Sequence, residues 1–203
     1  MLLANIIYLP GTGGSFLRRA LTLSDRAIMH DSRQQISAQE KFLLYNNWNS
    51  QEWKQAEKMY RPAYKTGDQE FYLYEQSNLY LIDAWHPAEF IEHDNLGTAW
   101  QTGAWPWLIF VTVEQHHKEF LEQNQSSKSY SLDWQKESES IRYLIDRYHD
   151  RALYLKFDDL FDELIFLQNI QGIDRKINLN LDLTLVNQLW IRWYTESMKV
   201  WQK

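Results

Sequence analysis

Three glycines fall within four positions in Gly11-Thr12-Gly13-Gly14, and Ser15 follows them directly. Glycines at this density remove the Cβ atoms that block a close approach to the main chain, and they allow positive φ. A serine placed after them suits the start of a helix, where its hydroxyl lies beside N–H groups that have no partner in the helix. N–H groups converging in this way hold an anion, usually a phosphate or a sulfate. Arg18 and Arg19 stand one turn further on, and helical side chains lean back toward the N-terminus, so either can add positive charge. A strand-to-helix turn that needs glycine only for its shape, followed by two ordinary helical arginines, accounts for the same residues. Asp83 and His86 form a second group, at the end of the apolar run Leu79-Tyr80-Leu81-Ile82-Asp83 and in the stop Ala84-Trp85-His86-Pro87. A carboxylate and an imidazole can each take up a proton from a reacting hydroxyl. The plain alternative for His86 is a turn histidine beside proline, with no chemistry.

The elements that must position these residues follow from hydrophobic spacing. Asn5 to Leu9 reads as a buried strand, Ser15 to Leu23 as the helix after it, and Ala27-Ile28-Met29-His30 as a short second strand. His30 reads as a partly buried structural histidine. Helical spacing runs through residues 37–60 until Arg61-Pro62 stops it. The strand ending at Asp83 precedes a helix with Phe90 and Ile91 turned inward. Residues 95–106 form a loop whose Trp100 and Trp105, with Trp107, offer either loop packing or an aromatic platform. Trp107 to Val113 is apolar nearly throughout, as expected of a strand covered on both faces. After a polar loop over 123–131, Asp133 caps a helix with the stripe Ile141, Leu144, Ile145 and Tyr148. Ala152 to Phe157 is a strand and Asp158 to Asn169 a helix. The last helix opens near Leu181 and carries Val186, Leu189, Trp190, Trp193, Ser197 and Trp201 at helical spacing. The alternation predicts a three-layer α/β domain with a mainly parallel sheet, one domain over residues 1–203 with a helical, loop-rich insertion around 35–78. In such sheets ligands gather at the carboxyl ends of the strands.

Composition narrows the partners. With 21 basic and 27 acidic residues the chain carries a net charge of −6, which argues against an electrostatic grip on nucleic acid or anionic lipid. A negatively charged ligand therefore needs a local positive pocket. Hydrophobic residues make up 44%, ample for a core, and the absence of cysteine removes disulfides and thiolate metal sites. No apolar run has the length of a membrane span, and the N-terminal run lacks the flanks of a signal peptide. The expectation is a soluble protein of the cytoplasm, or of a virus replicating there.

The glycine stretch is neither of the two commonest nucleotide loops. No lysine precedes Ser15, as the Walker pattern requires, and the spacing misses the third glycine of the dinucleotide fingerprint. Leu9-Pro10-Gly11-Thr12-Gly13-Gly14-Ser15-Phe16-Leu17-Arg18 instead resembles the phosphosulfate-binding loop of the sulfotransferases. That loop commonly reads Pro-Lys/Arg-Ser/Thr-Gly-Thr/Ser-Thr/Ser and then an apolar residue, after an N-terminal strand. Pro10, Thr12, Gly13, Ser15 and Leu17 occupy matching positions. Gly11 stands where the family usually has a lysine or arginine against the bridging oxygen of the departing phosphate. Lys156-Phe157-Asp158-Asp159-Leu160 resembles the later segment Arg-Tyr-Glu-Asp-Leu, whose role is mainly architectural.

The resemblance implies a P-loop NTPase-like, sulfotransferase-like fold. It also implies 3′-phosphoadenosine 5′-phosphosulfate as co-substrate, a hydroxyl of a carbohydrate or small molecule as acceptor, and no metal. Gly11, Thr12, Gly13, Gly14 and Ser15, with Arg18 and Arg19, then hold the donor, the N–H groups of residues 12–15 carrying the phosphosulfate. His86 is the first choice as base, Asp83 the second and His93 the third. The family usually follows its strand equivalent to Trp107–Val113 with an arginine for the 3′-phosphate. Here Glu114-Gln115-His116-His117-Lys118 follows, so Lys118, His116 or His117 would take that role. Two alternatives stay open: a degenerate nucleotide- or anion-binding or structural protein on the same fold, and a phosphotransferase with an unusual loop.

Overall fold

Runs such as Leu-Ile-Phe-Val, with apolar residues at successive positions, cannot leave one face of a strand in water, so such strands collect in a parallel sheet covered on both sides. The computed structural model, which describes residues 2–9, 11–28, 36–46, 79–95, 107–114, 117 and 133–201, has this arrangement. Strands β1 (Leu2–Ile7), β2 (Ala27–Ile28), β3 (Tyr80–Trp85), β4 (Trp107–Thr112) and β5 (Ala152–Lys156) are all parallel and lie in the order β2-β3-β1-β4-β5. The helices are α1 (Gly14–Thr22), α2 (Ala38–Asn46), α3 (Pro87–Asn95), α4 (Trp134–Arg147), α5 (Glu163–Ile177) and α6 (Leu183–Trp201). Most of the insertion expected over 35–78 lies outside the described residues, where α2 is its one described element.

Strand alternation divides the core in two. Ala4 and Ile6 of β1, Ile82 of β3, and Ile109 and Val111 of β4 face a layer built from α1, α2, α5 and α6. Ile7, Leu108 and Phe110 face the other way, against Phe90 of α3, Leu144 of α4 and Tyr148 at the C-cap of α4. The stripe expected on α4 is the one observed, and Asp133 caps that helix by accepting from Lys136 N at 3.0 Å.

Strand ends lie within three residues of expectation, and the helix after β5 starts five residues later than expected. β1 ends at Ile7 because Leu9, though buried, lies in the bend that follows. β3 runs on to Trp85, since its pairing with β1 continues to Ile7. The helix expected from Asp158 starts later. A short 3₁₀ turn, Asp158–Phe161, comes first, and Asp162 caps α5 by accepting from Ile165 N at 2.9 Å. Of the acids Asp158, Asp159, Asp162 and Glu163 at this junction, the third makes the cap.

Candidate anion-binding site

β1 is the middle strand, and the two connections beside it diverge. β1 leads through α1 to β2 on one side, whereas its neighbour β4 leads through α4 to β5 on the other. A crevice between the carboxyl ends of diverging strands is where open α/β sheets bind ligands. The glycine bend leaves β1 at that point.

The bend is built from main-chain bonds. Tyr8 N donates to Trp85 O at 3.1 Å, holding the chain against β3 for one more residue. Thr12 then donates to Leu9 O twice, from its N at 3.1 Å and its Oγ1 at 2.7 Å. Gly11 and Gly13 have φ of 86° and 80°, the left-handed region that costs a side-chain-bearing residue about 1 kcal/mol or more. Gly13 caps α1 with no side-chain hydrogen bond, and its carbonyl accepts from Leu17 N at 2.9 Å. The first N–H groups of α1, from Gly14 onward, therefore have no acceptor inside the helix and present the positive end of its dipole. Ser15 is exposed beside them.

Thr12 departs from expectation. Its amide and hydroxyl are both spent on Leu9 O, and the residue is fully buried, so it shapes the bend and does not face a ligand. The main-chain donors narrow to residues 13–15. The other two glycines are also required by packing. A Cβ on Gly13 would stand 2.9 Å from Leu160 Cδ1 and 3.7 Å from Trp193, and one on Gly14 would fall within the Tyr8 ring.

Arg18 and Asp83 face each other, Nη1 to Oδ1 at 3.5 Å. Asp83 also accepts from Ala84 N at 2.8 Å. The reason lies in the sheet: β2 pairs only with Tyr80 and Leu81, so the flank of β3 beyond it has no ladder partner among the described residues. Asp83 satisfies that flank, and Arg18 balances its charge. Arg19 is buried and shares its side of α1 with Thr22, whose hydroxyl meets Tyr45 Oη of α2 at 2.6 Å. Sequence spacing treats the two arginines alike, and the structure separates them.

His86 begins α3, its carbonyl accepting from Phe90 N at 2.9 Å, and its ring lies 5.0 Å from that of Tyr8. It is thus beside the bend, on the β3 side. On the β4 side His117 Nδ1 stands 3.2 Å from Asp158 Oδ1, and its ring meets the Phe157 ring edge-on at 5.7 Å. This pair joins the segment after β4 to the turn after β5, an adjacency that only the strand order reveals. Trp107 opens β4 at its amino end, under Arg151, and so lies away from the bend. Pro10, His30, Trp100, Trp105, His116 and Lys118 lie outside the described residues, as does the side chain of His93.

No protein-family model, curated protein or solved structure matches this chain. Among the described residues no helix is long and apolar enough to cross a membrane.

Proposed function

We propose that this chain is a sulfotransferase-like protein of the cytoplasm. It takes the sulfuryl group of 3′-phosphoadenosine 5′-phosphosulfate and passes it to a hydroxyl of a carbohydrate or small molecule, without nucleic acid or membrane as partner. The observation that carries the reading is the glycine bend at the diverging strand ends, followed by a helix whose first N–H groups lack both intrahelical acceptors and a side-chain cap. Gly13, Gly14 and Ser15 supply the anion contacts, and His86 takes the proton of the acceptor. Transfer of this type is in-line, so positioning and charge stabilisation carry it.

Three observations favour a second reading, a protein on the same fold that binds the nucleotide or a related anion without turning it over. Thr12 is turned inward, Tyr8 lies over Gly14, and Arg18 faces Asp83.

Calorimetry with adenosine 3′,5′-bisphosphate separates binding from its absence, and sulfate transfer from the labelled donor separates the two readings. Gly13→Val should abolish binding, but it also meets Leu160. Ser15→Asp is the cleaner variant. A carboxylate in the first turn favours the helix dipole by roughly 0.3–1 kcal/mol while repelling an anion at the same amides. The expected result is an equal or higher melting temperature with affinity lowered at least about tenfold. Equal affinity in Ser15→Asp and the parent would remove the anion site.

A further inference from the structure

The sheet has two edges, and they are finished differently. At one, β2 is two residues long, and Lys41 takes its Ala27 carbonyl. An edge strand that short offers no ladder to another chain. At the other, β5 runs beside β4 in unbroken register over Ala152–Lys156, with no proline or glycine. Among the described residues nothing pairs with its outer edge. A row of N–H and C=O groups of this kind is a template for a further strand.

The side chains of β5 agree with that. The Tyr154 ring stacks on the buried Phe110 at 5.8 Å yet Tyr154 is 53% exposed, so the α3–α4 layer stops short of it. Leu153, on the α1 side of the sheet, is only partly buried. Both faces of the sheet run out of cover at this strand.

The charges decide what covers it. Lys156 is the last residue of β5 and its one charge, and Asp150 lies in the turn before the strand; both are exposed. Asp150 stands 3.2 Å from His149 Nε2, with both side chains largely in water, where such a pair holds its members weakly. A two-fold axis through the sheet lays a second β5 antiparallel to the first and keeps each face of the sheet on its own side. With Leu153 opposite Leu153 of the copy, Ala152 lies opposite Tyr154 and Asp150 opposite Lys156, each twice. The smallest side chain of the strand meets its largest, and opposite charges meet at both ends. Moving the register to bring Tyr154 opposite itself sets Asp150 against Asp158 and Lys156 against Ala152, so like charges disfavour it.

We propose that β5 is a self-association edge, through which two copies of this chain join in that antiparallel register, making one continuous sheet of two five-stranded halves. The glycine bend leaves β1, two strands in from this edge, so the pairing does not depend on the sulfotransferase reading.

Sedimentation equilibrium of the full chain tests it. The parent should form a dimer with a Kd on the order of 10 µM, as a short interface gives. Lys156→Glu and Asp150→Lys each set like charges opposite one another twice, and each should raise that Kd about tenfold or more. Both residues are exposed, so the changes leave the core untouched. The two together restore opposite charges, and the Kd should return to within about threefold of the parent. The chain has no cysteine, so Leu153→Cys can form a disulfide only with its own copy. Residues directly opposite in an antiparallel pair have Cα atoms about 4.5–5.5 Å apart, within disulfide reach. Under mild oxidation Leu153→Cys should give a covalent dimer, and His149→Cys, more exposed but far from its copy in this register, should give much less. A parent that stays monomeric up to about 500 µM overturns the proposal. So does a dimer that is insensitive to both charge changes, or one whose Kd the combined change fails to restore, because the copies then meet through another surface.

Discussion

The two ends of the sheet both hold buried charge, and they treat it differently. At the amino end, Lys41 of α2 is fully buried and donates to Ser24 O and Ala27 O, both at 2.5 Å. Ser24 Oγ donates to Leu179 O, Tyr80 Oη to Ile177 O, and Arg26 Nη1 to Asn178 O at 2.5 Å. Each donor there meets a carbonyl of a neighbouring connection, and together they clasp the α1–β2 link to the α5–α6 link. At the carboxyl end Arg18 faces Asp83, and the helix start after the glycine bend has no side-chain cap. A polar network closed on the protein gives shape, whereas donors left at a strand switch point can take a ligand. The amino end serves stability, and under the proposed function the carboxyl end serves ligand binding.

The largest expected effect tests whether the bend is also a packing site. Gly14→Val puts a branched side chain into the Tyr8 ring, and overpacking of this sort costs about 3 kcal/mol. Thermal unfolding measures it, and Tyr8→Ala in the same chain should restore much of the loss. If Gly14→Val unfolds at the parent temperature, the Tyr8 contact is not what the glycine serves, and the two ends of the sheet share no packing role.

Lys41 gives the next effect, on pH dependence. Burial pushes its pKa down to about 8 from 10.5, against the attraction of Asp25. The folded-state pKa lies below the unfolded one, so between about pH 8 and 10 the unfolded chain binds more protons. Stability should therefore rise with pH across that window, by up to about 3 kcal/mol at roughly 1.4 kcal/mol per unit. Burial raises the pKa of Tyr80, so above pH 10 the unfolded chain loses that proton first and stability should fall again. Denaturant titrations from pH 7 to pH 11 check both limbs, and Lys41→Met should lose the rising one. A flat profile in the parent would mean that Lys41 is not desolvated in the clasp.

The same comparison shows what could be read from sequence. Apolar runs at Leu108–Val111 and the stripe from Ile141 to Tyr148 declare their burial through period alone, and both appear as expected. The glycine bend is legible because glycine spacing carries backbone conformation directly, and Gly11 and Gly13 do have positive φ. Thr12 was not, because a threonine that donates outward and one that donates to Leu9 O have the same local sequence. Lys41 gave no signal at all: a lysine in a polar helix start looks solvent-exposed, and only the fold brings Ser24 and Ala27 over it. His117 and Asp158 are 41 positions apart in sequence and meet because β4 and β5 are neighbours. Such long-range polar pairs have no period to betray them.

The smallest effect separates the arginines. Asp83→Asn removes the charge facing Arg18 but keeps an oxygen able to accept from Ala84 N, so the stability loss should stay near 1 kcal/mol. If Arg18 can turn to the bend once Asp83 is neutral, adenosine 3′,5′-bisphosphate should bind several-fold tighter, a gain of about 1 kcal/mol seen by calorimetry. Arg18→Gln in that chain should cancel the gain, and Arg19→Gln should not, because Arg19 is buried on the Thr22 flank of α1. Unchanged affinity in Asp83→Asn would place the Arg18–Asp83 pair with the clasp, as a device that seals the open flank of β3, and under the proposed function would leave the helix start alone to hold the anion.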